Sequence, residues 1–461
     1  TGDGATDDAP AIQAALDAAD AASGGTVYAP DGEYLLGSGL IIYDNTHLEL
    51  APNAKLIRDF VGSKPTGATI YNELAVLPSG DTPSWPGTVN SNIQITGGQF
   101  SANDAADTGP HISLYGVEYF RLDGIKFTSV HSDWNVALYA KYGEVTRLHI
   151  DSGDEIYEDG IHVLGGEHIQ VSDCYVKCGD DALVVGNPYN LPASDITFTN
   201  CTVYSEEANA IKVHQTRGGS LTIDPTRYVE RITFSNITGY AGQTKNGLIT
   251  LYNSDSVAVG NQYQIRDITI TNVVIQGGTI AAHTAAGNGS PYGNATGVRL
   301  EGGEDITFDN VQIIDPIRSA FLLEQSKNVT ITGCRANSPS DDSGTGRQCV
   351  DSDGTVGLRI SDCDFYNDAA HMVVRLDDTT DATIVGNRFR GIDAGLAGIL
   401  MNGTTTNVVI ANNVFEESAS GGYGIWENSA SVEDIVISGN EYQGVTTPLR
   451  FSNIPERVSL K

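Results

Sequence analysis

Ile169-Gln-Val-Ser-Asp-Cys174, Ile196-Thr-Phe-Thr-Asn-Cys201 and Ile232-Thr-Phe-Ser-Asn-Ile237 are one phrase written three times. It runs apolar, polar, apolar, polar, then Asn, Asp or Gly, then a small or apolar residue. Further copies are Ile268-Thr-Ile-Thr-Asn-Val273, Ile306-Thr-Phe-Asp-Asn-Val311, Val329-Thr-Ile-Thr-Gly-Cys334 and Leu358-Arg-Ile-Ser-Asp-Cys363. Thr383-Ile-Val-Gly-Asn387, Val408-Val-Ile-Ala-Asn-Asn413 and Ile435-Val-Ile-Ser-Gly-Asn440 continue it. Alternation of this kind marks a half-buried strand, and the residue behind it marks a turn. The shortest intervals between copies are 23 to 29 residues, room for three short strands of about 8 residues each in a solenoid whose coils touch only their neighbours. The expected fold is all-β: a single right-handed parallel β-helix of three short strands per coil, one domain over residues 1–461.

A second strand family lies between those copies: Val136-Ala-Leu138, Ile161-His-Val163, Leu183-Val-Val185, Ile211-Lys-Val213, Ile249-Thr-Leu251, Val298-Arg-Leu300 and Phe321-Leu-Leu323. The outer residues of each triplet should point into the core and the middle one out. The segment Asp7-Asp8-Ala-Pro-Ala-Ile-Gln-Ala-Ala-Leu-Asp-Ala-Ala-Asp20 differs. N-cap candidates precede strong helix formers, so a helix over about 7–22 is expected to cap the open end of the coil.

The chain has 461 residues, with 26 Lys plus Arg against 58 Asp plus Glu, a formal charge of −32. Nucleic-acid binding draws on Lys and Arg to neutralise phosphates, so that class is excluded. No apolar run reaches the roughly 18 residues of a membrane span. The acidity fits a salt-adapted or an ordinary acidic extracellular surface, and a secreted protein is expected; no signal peptide is visible before Thr1-Gly2-Asp3-Gly4, and that start does not bear on location. Four of the six cysteines (Cys174, Cys201, Cys334, Cys363) share one slot of the phrase with Ile237, Val273 and Val311, which reads as a buried small hydrophobe rather than a metal ligand.

Equivalent residues of successive coils form columns about 4.8 Å apart. Aligned on the second family, one column reads Trp134, Asp159, Asp181, Asn209, Gly247, Thr296, Ser319; the middle outward column reads Ala137, His162, Val184, Lys212, Thr250, Arg299, Leu322. A third reads Tyr139, Leu164, Gly186, His214, Tyr252, Glu301, Glu324. Titratable groups gather at Glu158, Asp159, His162, Asp180, Asp181, Lys212 and His214, with Arg299 two coils beyond Lys212. Three readings fit carboxylates at this spacing: an acid and base pair for glycoside hydrolysis, a calcium site, or acidic corners.

Glu158-Asp159-Gly160 followed by Gly179-Asp180-Asp181 resembles the Asn-Thr-Asp-Gly and Gly/Gln-Asp-Asp motifs of polygalacturonase-type glycoside hydrolases, at a matching interval of 21 residues from Asp159 to Asp180. The opening Gly2-Asp3-Gly4-Ala5-Thr6-Asp7-Asp8 and Gly24-Gly25-Thr26-Val27-Tyr28 resemble the wider pectate-lyase-like β-helix superfamily, which holds lyases, epimerases and phage tailspikes as well as hydrolases. The resemblance implies Asp180 as the general acid, Asp159 and Asp181 as the groups activating water, inversion at the anomeric carbon, and no cofactor, while the spacing of stacked carboxylates by itself also allows a retaining mechanism. Two departures stand out. Ala208-Asn209-Ala210 replaces a Gly-His-Gly, and Thr250 and Tyr252 replace an Arg-x-Lys pair that grips a uronate carboxylate. Lys212 and His214 one coil earlier, and Arg299 one coil later, are expected to grip substrate instead, with His162, Asn209 and Tyr252 completing the binding set.

His214 also matches one position of the Tyr-Gly-Phe-Asp-Pro-His motif of mannuronan C5-epimerases, and Gly422-Tyr-Gly-Ile-Trp426 through Pro448-Leu-Arg-Phe451 is similar to epimerase and lyase C-termini. That resemblance implies a lyase or epimerase on uronates, with His214 or Lys212 as base and calcium on the three aspartates. A third class is a glycan-binding spike or adhesin. Insertions at 65–92, 187–194, 217–228, 253–265 and 279–294 would wall its groove, with Trp85, Trp134, Tyr139, Tyr189, Tyr252 and Tyr292 available to stack on sugars. The partner in every case is a polysaccharide.

Overall fold

A computed structural model describes the chain except residues 64, 79–83, 104–108, 129–133, 153–157, 188–190, 216–225, 243–246, 254–263, 278–295, 317, 338–347, 368–370, 418–420, 430, 452–457 and 461. Tyr189, Tyr292 and much of the expected insertions lie outside the described residues. The described residues form parallel strands and one helix, and no helix among them is long and apolar enough to cross a membrane. They divide into two compact units, Thr1–Thr233 and Phe234–Lys461.

The helix Ala9–Ala21 falls inside the expected 7–22 and packs on the strands from Gly25 to Arg58, with Leu16 fully buried. Its start differs from expectation. Asp8 stands at the N-cap without a side-chain cap bond. Asp7 does that work: its Oδ1 accepts the N–H of Ala9 (3.1 Å) and of Gly37 (2.9 Å), tying the helix start to a strand end.

In the first unit the strands Lys126–Thr128, His149–Asp151, Tyr175–Cys178 and Thr202–Ser205 pair in succession, all parallel. The expected three short strands per coil do not hold here. Trp134–Thr146 and Asp159–Ser172 are single strands of 13 and 14 residues. The second of these pairs through its first part with Leu183–Asn187 and through its later part with Ala193–Thr199. One bent strand thus runs two sides of the coil. The second unit begins the same way, since Gly303–Ile314 is one strand that pairs first with Lys327–Thr332 and then with Arg335–Ala336, but from Phe321 onward it separates into three parallel ladders. Phe321–Glu324, Val350–Asp353 and Val374–Asp377 lead one, Lys327–Thr332 and Val356–Ser361 another, Arg335–Ala336 and Asp364–Tyr366 the third.

The recurring phrase has a conformational cause. Its turn residue, the fifth of each copy and the fourth of the one quoted from Thr383, is left-handed throughout: Asp173 (φ 57°), Asn200 (56°), Asn236 (55°), Asn272 (54°), Asn310 (51°), Gly333 (61°), Asp362 (57°), Gly386 (72°), Asn412 (56°) and Gly439 (62°). The residue five places earlier is left-handed too, at His168, Asp195, Arg231, Asp267, Asp305, Asn328, Gly357, Asp381, Asn407 and Asp434. Each copy is therefore a strand held between two left-handed corners. Asn, Asp and Gly tolerate that region best, and their amides also bond across coils, as Asn200 does to Asp173 (3.2 Å) and Asn310 to Asn272 (2.8 Å).

The alternating apolar residues face inward and are almost wholly buried. Phe308, Phe321, Phe365, Phe389 and Phe415 follow one another in ring contact at centroid distances of 5.3–6.4 Å, edge-on, tilted or stacked. Each such side chain contributes about 1.5–3 kcal/mol by leaving water. The four repeat-slot cysteines are buried free thiols, as expected. The middle outward column is less exposed than its alternation suggests: Ala137, Val184 and Thr250 are buried. Around Ala137 the cover is an apolar cluster of Tyr115, Tyr139, Leu164 and Leu191, with Trp85 and Trp134 packed against it. The third column also needs correction. Register shifts between Leu138 and Tyr139, so Tyr139 pairs with Gly165 and not with Leu164.

Candidate active site

All of the first unit's predicted site residues stand on or beside three successive strands, Asp159–Ser172, Leu183–Asn187 and Ile211–Gln215. Parallel register sets His162 beside Val184 and Val184 beside Lys212. Asp180 and Asp181 end the short link before Leu183, and the Asp180 N–H bonds the Glu158 carbonyl (3.0 Å). One oxygen from each of Asp159, Asp180 and Asp181 lies within 4.8 Å of the others. Asp159 and Asp181 are buried, and Asp180 is half-buried.

Asp159 is held on both oxygens. Its Oδ1 accepts the Asp181 N–H (3.2 Å), and its Oδ2 meets His162 Nδ1 (2.7 Å). The other His162 nitrogen, Nε2, donates to the Gly186 carbonyl (2.9 Å), since a carbonyl only accepts. The Trp134 ring packs on His162 with centroids 4.4 Å apart. Gly186 has φ +121°, and a Cβ there would fall 1.7 Å from the His214 carbonyl oxygen, so only glycine brings these coils together.

Asp181 is held more tightly. Asn209 donates both its backbone N–H (3.2 Å) and its side-chain amide to Oδ1, and Lys212 Nζ lies 2.5 Å from Oδ2. Burial alone would raise this carboxyl. The Lys212 charge and the Asn209 bonds outweigh it and hold Asp181 below the usual carboxylate range. Burial would likewise lower Lys212, but the charges of Asp181 and Asp159 raise it above an ordinary lysine. His214 is pushed far down, by burial first and then by Lys212 and His162. The Cys178 thiol is pushed up by burial, then by Asp159, Asp180 and Asp181, which makes it inert as a nucleophile.

Lys212, Asn209, His162, Asp159 and Asp181 are thus brought into one bonded network with the Asp180 carboxylate beside it, and His214 lies against His162 with centroids 6.0 Å apart. Tyr252 and Arg299 belong to the second unit. There the Arg299 guanidinium lies 5.0 Å from the Tyr252 ring centroid and pairs with Glu301 (2.7 Å) and Glu324 (3.6 Å). Trp85 and Tyr139 line a cleft with Lys141, Glu167 and Arg227.

Residues that the motifs do not mark also serve the site. Asn135 donates to the Asp159 carbonyl (3.0 Å), and Ser205 Oγ to the Asp180 carbonyl (2.6 Å) while accepting from the Ala208 N–H (2.8 Å). Asn135 follows Trp134 in a column already read; Ser205 stands on another side of the coil and carries no signal.

Three carboxylates at this spacing are a donor set that suits calcium. The fit fails at Asp181, whose two oxygens already face Asn209 and the Lys212 ammonium.

Residues 1–224 match the family model described as rhamnogalacturonase A/epimerase, pectate lyase-like, and residues 223–441 match the right-handed beta helix region. Rhamnogalacturonase A of Aspergillus aculeatus is 25% identical over 301 residues, 59% of this chain and 62% of that protein. Rhamnogalacturonase B of Aspergillus niger is 24% identical over 278 residues, 55% of this chain and 47% of that protein. The chain thus spans about half to three-fifths of the relatives it matches. Over a stretch of 33 residues it is 79% identical to mannuronan C5-epimerase AlgE1 of Azotobacter vinelandii, 7% of this chain and 2% of that protein. In fold it is similar to a mutant tailspike protein of E. coli bacteriophage HK620 (TM-score 0.58, 12% identity, 90% of this chain and 75% of that one). It is also similar to a family 28 exopolygalacturonase of Yersinia enterocolitica (TM-score 0.50, 14% identity, 79% and 73%). The corner-and-strand repeat runs through both units, and the two family models, one pectate lyase-like and one a right-handed β-helix, each match about half of the chain.

Proposed function

We propose that the protein is a glycoside hydrolase that cleaves a pectin-type polysaccharide outside the cell, with Asp180 as general acid and Asp159 and Asp181 as its anionic partners. The observation that carries this reading is the unequal treatment of three adjacent carboxylates. Lys212 and Asn209 hold Asp181 ionised, and His162 orients Asp159. Asp180 is the most exposed of the three. Environments that set neighbouring carboxyls apart divide the acid role from the base role. Asp180 delivers its proton to the glycosidic oxygen as the bond to the anomeric carbon breaks. Water attacks that carbon, and its proton passes to the Asp159 and Asp181 pair. The rhamnogalacturonase relatives support a pectic substrate.

The epimerase match favours a second reading, proton abstraction at C5 of a uronate. The site argues against its proposed bases. Lys212 is a raised, salt-bridged ammonium, and His214 is buried with its basicity suppressed. The test is a panel of rhamnogalacturonan, polygalacturonate and alginate, read for reducing ends and for ultraviolet absorbance. Reducing ends without absorbance are expected; an unsaturated, absorbing product overturns the hydrolase reading. Asp180→Asn should lower kcat by about 10²–10⁴ with the fold intact, and proton NMR of the first product should show the inverted anomer.

A further inference from the structure

We propose that Lys212 is a tethered counter-ion. Its ammonium takes the place of a divalent cation among Asp159, Asp180 and Asp181, so the native site works without metal, and removing that one charge turns the site into a divalent-cation site. The reading rests on the three aspartates forming one site, as proposed above, but its test reads metal binding and not turnover. A chain inactive on every polymer can pass it, and an active chain can fail it.

Three features carry the inference. The carboxylates supply one oxygen each within 4.8 Å of one another, a set of hard oxygen donors that a calcium ion could bridge. Inserted beside them is a single ammonium, Lys212 Nζ, 2.5 Å from Asp181 Oδ2, on a side chain only 22% exposed. Asp181 and Asp159 are the two largest charges raising that lysine, so the ammonium answers more than one member of the trio. Lys212 is also the second residue of its strand, between the inward Ile211 and Val213, where the backbone register fixes the root of the side chain. Such an ammonium is a counter-ion that chelators cannot remove.

The test uses the full chain, stripped with chelator and titrated with Tb³⁺, whose luminescence Trp134 can sensitise from its place on His162. Native protein and Lys212→Arg should show no saturable signal that depends on Asp181. Lys212→Met should gain one, at least about tenfold tighter than any native binding, displaced by calcium and abolished by adding Asp181→Asn. Circular dichroism checks the fold of each variant. Should Lys212→Met unfold, Lys212→Gln, which keeps a donor towards Asp181, takes the same test. Saturable, Asp181-dependent binding to the native chain overturns the proposal, and so does a folded, uncharged variant that gains none.

Discussion

Asp181 in the first unit and Asp351 in the second have almost equally hidden side chains, each 4% exposed, and each meets a cation on the next coil. Lys212 stands 2.5 Å from Asp181, and Arg375 Nε 2.7 Å from Asp351. Their acidities nevertheless move in opposite directions. Burial is the largest influence on both and raises both. At Asp181 it is overcome by Lys212 together with the backbone and amide donors of Asn209, and the carboxyl falls below its usual range. At Asp351 the Arg375 contact does not overcome it, and the neighbouring charges of Asp353 and Asp377 push the same way as burial, so the carboxyl rises. A salt bridge alone does not decide the charge state of a buried acid; the number of donors and the sign of the next neighbours do.

The largest test of this contrast is to remove each cation. Lys212→Met leaves Asp181 charged and buried and should cost about 3–5 kcal/mol in urea unfolding at neutral pH. Arg375→Met should cost less, about 1–3 kcal/mol, because Asp351 is already biased towards its neutral form. Equal losses would break the comparison. A second pair of variants contrasts the repeat slot that Cys201 fills in one unit and Asn413 in the other. Asn413 donates to Asn440 (3.0 Å) and accepts from Asn387 (2.9 Å), so Asn413→Val should cost about 1–3 kcal/mol through its orphaned neighbours. Cys201→Val should stay under about 1.5 kcal/mol. The smallest effect is in pH dependence, about 1.4 kcal/mol per unit of pKa difference. The Asp181 contribution is complete above about pH 4, the ordinary carboxylate value, and is lost as pH falls through its lowered folded value. The Asp351 contribution is complete below that ordinary value and is lost as pH rises through its raised folded value. Unfolding midpoints across the acid range should therefore lose the acid-side fall in Asp181→Asn and the opposite slope in Asp351→Asn.

Much of this was legible in the residues. The stacking of Asp159 on Asp181, the place of Lys212 in the outward column and the buried repeat cysteines follow from periodicity, because alternation of side chains is a property of residue type, and the N-terminal helix follows from its cap candidates and helix formers. What escaped is what residue type does not encode. His168 and Arg231 sit at left-handed corners that composition does not mark, since the coil and not the side chain imposes the angle. The strand Asp159–Ser172 passes from one side of the coil to the next at Gly165-Gly166, with Gly166 at φ +116°, and stays one strand where a glycine pair reads as a break. The slip at Tyr139 comes from one extra residue in the facing strand, which period-two counting passes over. Ser205 reaches Asp180 from the next coil, where it pairs with Cys178 at the end of the strand before the aspartates, a position that an alignment on the second strand family leaves out.

The two left-handed corners of each copy stand five residues apart in all ten copies, although the intervals between copies vary. Length variation is therefore confined to the other sides of the coil. Ancestral chains could lengthen or trim a wall of the groove at one level while the corner-to-corner segments above and below kept their seating. Such an architecture separates the inheritance of a scaffold from the diversification of what it grips, and a graft of foreign loop sequence should be tolerated between copies and rejected within them.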